Sequence, residues 1–226
     1  MFEFFRKHTK TDFEEIQKFL FGDVSLSEWK TVDKKADMIE PWSSFEAVRL
    51  AVARGDTSGA VNLLRRVAAV PELESRQYLQ AWHFLREFGV QPPPDEAKRV
   101  RGVVLEICLS AGLDTLAAYS DHTARYINHG GRLIVWEESE SEMNSHIDEL
   151  LRAGQRIADA IGPWDKERRT APPKGHVRIN MLTALGLHFG EGPFGVLSAD
   201  PMGAPVILAG TQLMKVLIER AEAAKA

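Results

Sequence analysis

The fold is decided by residues 91–110, which read QPPPDEAKRVRGVVLEICLS. The triple proline favours a stiff, extended linker, because each proline disfavours helix in the residue before it. After the linker, apolar side chains recur at every second position from Val103 to Leu109, a pattern typical of a strand with one buried face. The prolines therefore predict a boundary between an α-helical region, 1–90, and an α+β domain, 95–226.

The region before the prolines is predicted to be helical. Thr11 and Glu14 have the spacing of a capping box, which predicts the start of a first helix that Gly22 ends. Three further helices are predicted between Ser43 and Gly89, where apolar residues recur at helical spacing. Their short connections favour antiparallel helical hairpins.

The region after the prolines is predicted to be a meander of antiparallel strands with two packed helices. Polar or glycine-rich turns at 111–112, 121–122 and 128–131 separate four short strands. The elements predicted next are a helix from Ser139 to Ile161, strands at Val177–Phe189, Phe194–Leu197 and Pro205–Leu208, and a helix capped by Thr211. The fold class is therefore α+β, with N-terminal helical hairpins followed by the meander sheet.

The composition limits the classes of function. A net charge of −4 is spread without a basic face, so no nucleic-acid partner is predicted. The single cysteine, Cys108, rules out an internal disulfide and a zinc site with several thiolate ligands. No stretch approaches the ~20 apolar residues of a membrane span, and the first residues lack the apolar core of a signal peptide. We therefore expect a cytoplasmic protein with no membrane partner.

Polar residues concentrate at the turns of the meander. The strand between His122 and His129 spans roughly 20 Å, so these residues are too far apart to share an ion whose ligand bonds are ~2 Å. No metal or cofactor is predicted. The first and third turns share one end of the sheet, which brings Ser110 and Asp114 near His129, with Cys108 on the same side as Ser110. These four are the candidate catalytic residues, because they supply a nucleophile, a histidine and a carboxylate.

Two main functions are open at this point. No enzyme, cofactor or nucleic-acid signature is recognised, so the first hypothesis is a non-enzymatic protein-interaction or adaptor module. Its helical hairpins or an exposed sheet edge would bind a protein partner or a second copy of the chain. Five tryptophans and eleven phenylalanines favour such a surface. The alternative is a hydrolase or small-ligand-binding domain that uses Ser110, Asp114 and His129.

A third hypothesis concerns the glycine-rich segment His188–Gly195. It is predicted to be a loop between two strands, since a wide hairpin needs glycine. In this hypothesis the sheet and its two helices enclose a metabolite, and the loop from Phe189 to Gly195 acts as a lid.

Overall fold

A computed structural model describes residues 19–29 and 40–224 of the chain. The helix predicted to begin at Thr11 lies outside these ranges, apart from its predicted end at Gly22, which adopts a left-handed φ of 59°. Everything below concerns the described residues.

Three helices precede the prolines, as predicted. Among the described residues before the prolines they are α1 (Trp42–Ala53), α2 (Thr57–Ala68) and α3 (Ser75–Glu87), and α2 contacts both of the others. The start of α2 is fixed by Asp56, whose Oδ1 accepts a hydrogen bond of 2.8 Å from the N–H of Gly59. Phe45, Leu64 and Phe84, one from each helix, are fully buried in a shared core.

The triple proline leads directly into a short helix, α4 (Pro94–Ala97). Proline suits the first position of a helix, because the missing N–H would have no partner there and the fixed φ is already helical. Strand β1 begins three residues after α4, at Val100.

The sheet has six antiparallel strands, which confirms the α+β class. They are β1 (Val100–Leu109), β2 (Gly112–Tyr119), β3 (Ala124–Ile127), β4 (Leu133–Trp136), β5 (His176–Thr183) and β6 (Gly186–Pro193), in the order β4-β3-β2-β1-β5-β6. Helix α5 (Ser141–Ala160) connects β4 to β5. A short helix, α6 (Phe194–Leu197), and a long one, α7 (Gly203–Ala223), follow β6. No helix in the described ranges is both long enough and apolar enough to cross a membrane.

Two predicted strands are wrong. Phe194–Leu197 is helix α6, and Pro205–Leu208 lies in the first two turns of α7. Short apolar runs fit a strand and a buried helix equally well, and proline is tolerated in the first turn of a helix. Thr211 is therefore inside α7 rather than at its start, and its hydroxyl donates to the carbonyl of Ile207 at 2.7 Å.

The glycine-rich segment is also a strand and not a loop. The predicted strand Val177–Phe189 is a tight hairpin in which β5 and β6 meet around residues 184–185. Strand β6 extends through the glycines to Pro193, where it pairs with His176. The predicted lid from Phe189 to Gly195 is therefore part of the sheet as far as Pro193 and part of helix α6 beyond it.

The two faces of the sheet are covered differently. The apolar face carries Val103, Leu105 and Met181, which share one core with helices α5 and α7. The opposite face, called the charged face here, carries the buried residues Glu106 and Arg178 in the same strands. Alternation along each strand separates the two sets, since successive side chains point to opposite faces.

The helical region packs against one end of the charged face. Helix α3 contacts β1, and Leu79 of α3 shares a small core with Val104 and Tyr119 of the sheet. The hydroxyl of Tyr119 donates to the carbonyl of Leu20 at 2.7 Å. The division of the chain into 1–90 and 95–226 stays a prediction.

Candidate interaction groove

Three clefts adjoin one another around residues 70–77, which comprise most of the connection from α2 to α3 and the first turn of α3. The first, called the aromatic slot, has a volume of 320 Å³; the central cleft has 570 Å³ and the polar cleft 650 Å³. Glu74 and Gln77 line both the slot and the central cleft. Val70, Glu72 and Leu73 line both the central and the polar cleft. Together the three clefts are called the groove.

The aromatic slot is walled by rings from separate parts of the chain. Trp29 stacks on Trp42 with ring centres 5.6 Å apart, and it meets Phe45 edge-on at 5.3 Å. Phe45 belongs to the buried stripe of α1, which fixes the position of the cluster. Phe19 at the rim is 43% exposed, so one large apolar side chain faces solvent at this point.

One glutamine holds the segment that precedes Trp29. The side-chain amide of Gln80, on α3, donates to the carbonyl of Val24 at 2.7 Å and accepts from its N–H at 3.2 Å. This pairing satisfies both the N–H donor and the carbonyl acceptor of the buried Gln80 side chain. The slot therefore has a fixed wall that does not depend on apolar contacts alone.

The central cleft combines apolar and charged groups. Val70 is 49% exposed within it, and Arg66 and Glu40 stand on its walls. Hydrogen bonds from the hydroxyls of Ser44 and Ser43 hold the pKa of Glu40 below its ordinary value. The carboxylate of Glu40 is therefore ionised at neutral pH and available to a polar group of a ligand.

The polar cleft lies between the helical region and the β2–β3 turn. Asp121 in that turn accepts a 2.7 Å hydrogen bond from the N–H of Ser75, so the sheet supplies the cap for the first turn of α3. His122, the next residue, has a left-handed φ of 62° and its Nε2 lies 3.0 Å from Asp148. Across the cleft, the guanidinium of Arg101 covers the ring of Tyr78 at 4.7 Å.

The groove is suited to binding. It offers an apolar recess at one end, an exposed valine at its centre, and hydrogen-bonding groups at the other end. This is the composition of pockets that anchor a side chain and orient the chain attached to it. The residues that create it were not singled out by sequence. The available signal was the aromatic content, which indicates an exposed surface but not its location.

The end of the meander brings together two of the four candidate catalytic residues. Asp114 Oδ1 lies 3.0 Å from Nδ1 of His129 and accepts the N–H of His129 at 2.7 Å. The hydroxyl of Tyr126 donates to the other carboxylate oxygen at 3.0 Å. Burial and this neighbouring carboxylate raise the pKa of Tyr126, which keeps the phenol protonated.

The two candidate nucleophiles do not join this pair. Ser110 is exposed in the β1–β2 turn, and within the described residues no hydrogen bond links Ser110 or Cys108 to His129. Cys108 instead lies opposite His176 across the β1–β5 pair. None of the three clefts of the groove reaches this end of the sheet. The catalytic role of these residues stays a prediction.

The two turn histidines lie at opposite ends of β3, as their spacing predicts. His122 precedes the strand and contacts Asp148, whereas His129 follows it and contacts Asp114. In the part of the chain that the structure describes, no three His, Cys, Asp or Glu side chains are grouped so that they could hold a metal ion.

A charge cluster that sequence analysis missed lies on the charged face. Arg178 donates to Glu191 at 2.8 Å from Nε and to Glu106 at 3.3 Å from Nη1. Asn180 donates to Glu106 at 3.0 Å. Burial raises the pKa of Glu106 even though Asn180 and Arg178 oppose that rise. The signal in the sequence was the alternation of Arg178 and Asn180 with apolar neighbours in one strand.

No protein-family model matches the chain, and no curated protein or solved structure is significantly similar to it.

Proposed function

We propose that this protein is a non-enzymatic interaction module whose groove binds an extended segment of a partner protein. One large apolar side chain of that segment occupies the aromatic slot. One observation supports this proposal: three clefts adjoin one another around residues 70–77, and the aromatic slot lies at one end of them.

The shape of the groove favours an extended segment as the ligand. A compact metabolite fills one pocket, whereas a peptide places successive side chains in successive pockets. Affinity in such complexes is concentrated in a few buried aromatic or large apolar anchors, which the slot would accommodate. The exposed side chains of Phe19 and Val70 mark the apolar part of the path.

A matched pair of variants tests the proposal. A displayed library of random peptides is selected against the full chain, and the affinities of the enriched peptides are measured by fluorescence anisotropy. Val70→Glu places a charge in the groove, and we expect it to weaken binding at least about fivefold, the loss of a contact worth ~1 kcal/mol. Leu50→Glu changes a similarly exposed aliphatic residue on α1 outside the groove, and we expect its affinity to stay within about twofold.

Two results would count against the proposal. One is a selection that enriches no peptide with a large apolar residue. The other is an equal loss of affinity in both variants, which would place the bound peptide away from the groove.

The alternative, a hydrolase or small-ligand-binding domain at the meander end, is favoured by the contact of Asp114 with His129. A fluorophosphonate reagent that labels Ser110 in the native chain, but not in His129→Gln, would establish it. A cytoplasmic location and the lack of nucleic-acid or membrane partners stay predictions from composition.

A further inference from the structure

Within the described residues, 19–29 and 40–224, strand β6 forms one edge of the sheet and pairs only with β5. It is eight residues long, whereas β4 at the opposite edge has four. A long edge strand presents unpaired N–H and C=O groups to any extended chain that approaches it. Strand β6 is therefore the edge to which another strand is most readily added.

The register identifies the backbone groups of β6 that face outward. In an antiparallel pair, alternate residues of a strand bond to its neighbour. Phe194 N–H donates to the carbonyl of Gly175 just beyond the strand, so the even-numbered residues of β6 bond to β5. The odd-numbered residues face outward, and the carbonyl of Leu187, one of them, accepts the N–H of Trp164 at 2.6 Å.

Two residues in the middle of the edge keep their outward groups unbonded. Within residues 19–29 and 40–224, no hydrogen bond reaches the outward N–H or C=O of Phe189 or Glu191. The positions on either side offer less, because Pro193 has no N–H and the carbonyl of Leu187 is already occupied. Four backbone groups are thus available to a further strand.

We propose that β6 pairs antiparallel with β6 of a second copy of this chain, with Gly190 on the two-fold axis. In this register Phe189 of each copy faces Glu191 of the other. Each such pair exchanges two N–H···O=C bonds, so the four open groups of one copy are all matched by those of its partner.

The neighbouring registers are less favourable. Centring the axis on Glu191 would place two like charges directly opposite each other. Centring it on Phe189 would require the carbonyl of Leu187, which already accepts the N–H of Trp164. With Gly190 on the axis, the two Gly190 residues form a non-hydrogen-bonded pair, whose ordinary α-carbon separation is about 4.5 Å.

The edge also lacks the usual protection against pairing. Lysine, internal proline and unpaired charge are the common devices, and β6 has no lysine and places its proline at the end. Its only acidic residue, Glu191, is already bound by Arg178. Strand β6 lies outside the groove, so this proposal and the proposed function can fail separately.

Charge substitutions at residue 190 test the proposal. A side chain added at Gly190 meets open space within its own copy. Gly190→Lys should therefore fold, place like charges on the axis, and raise the dimer dissociation constant about fivefold or more. Gly190→Ala, the matched control, should dimerise like the native chain. An equimolar mixture of Gly190→Lys and Gly190→Glu should form the mixed dimer, because opposite charges then meet.

Native mass spectrometry and sedimentation equilibrium distinguish the outcomes. Restored dimer in the Lys/Glu mixture supports the proposal. A native chain that stays monomeric at about 100 µM, where even a weak dimer would be populated, would overturn it. So would a Gly190→Lys dimer of native affinity, or a Gly190→Ala chain as monomeric as Gly190→Lys.

Hydrogen exchange of the unaltered chain gives a second test that requires no variant. As concentration rises, the amides of Phe189 and Glu191 should become protected in step with dimer formation, since both are bonded only in the dimer. Rapid exchange of both amides in a fully dimeric sample would assign the interface to another surface.

Discussion

The apolar and the charged faces of the same sheet are both buried, but by different chemistry. On the apolar face Leu105 and Ile179 pack against α5 and α7. On the charged face Glu106, in the same strand as Leu105, depends on Arg178 and Asn180 for its hydrogen bonds. Replacing a side chain of the apolar face by a smaller one loses the stabilisation that burial and packing of the removed atoms provide. Removing one partner on the second face leaves an uncompensated charge in the interior.

The largest effect is expected on the charged face. Arg178→Met keeps most of the volume but leaves Glu106 and Glu191 without their shared cation. We expect it to lower the free energy of unfolding by about 3–5 kcal/mol, measured by urea denaturation. Arg152→Met, a change of the same type at an exposed position of α5, should stay within about 0.5 kcal/mol. A loss of less than about 1 kcal/mol at Arg178 would mean that the cluster does not support this face.

A smaller effect is expected where α5 approaches the apolar face. Gly154 is buried there, and an added Cβ would lie 2.7 Å from Cγ2 of Val103. We expect Gly154→Ala to destabilise the protein by about 1 kcal/mol, because overpacking by about 1–3 kcal/mol outweighs the gain in helix propensity. Ser145→Ala, at an exposed site of the same helix, should be neutral or slightly stabilising. A stabilised Gly154→Ala would show that the helix can move away from the sheet.

The smallest effect is expected on the pH dependence of the free energy of unfolding, to which the two faces contribute with opposite sign. His188 is fully buried and pairs with Met181 of the apolar face; burial lowers its pKa from 6.5. The unfolded chain therefore binds the proton more readily, and stability falls as the pH drops below 6.5. Glu106 has a raised pKa, so the folded chain binds that proton more readily and stability increases as the pH falls towards 4.5.

The measurement is urea denaturation of the native chain and of His188→Gln between pH 5 and 7. The variant should be less stable throughout but should lose the acid-induced decline that His188 contributes. An unchanged pH slope would show that this histidine is not the group responsible.

The first four strands of the sheet could be predicted because their signals are local, whereas the hairpin of β5 and β6 was predicted as one strand followed by a loop. Each signal occupies only a few adjacent residues: the alternation of apolar side chains at Val103–Leu109, and the polar turns at 121–122 and 128–131. Helix α7 was partly missed because Pro205–Leu208, near its start, contains the β-branched residues Val206 and Ile207, and the helical state of this segment depends on packing against the sheet. Propensity alone cannot decide such a segment.

The candidate site was harder to predict than the fold. Asp114 and His129 could be placed together, because the meander order puts their turns at one end of the sheet. The groove joins Trp29, Phe45 and the β2–β3 turn, which are distant in sequence and lie in elements whose packing angle no pattern specifies. Val70 has the sequence context of a helix end, and only its exposure shows that it faces a cleft.

The hydrogen bond from Ser75 to Asp121 has a consequence for dividing the chain. The cap and the helix it closes are 46 positions apart, on opposite sides of the triple proline. A fragment that stops at the prolines would contain all of α3 but not the carboxylate that closes its first turn, and that turn would fray. Adding the missing fragment back should restore the turn, together with the other contacts that α3 makes with the sheet.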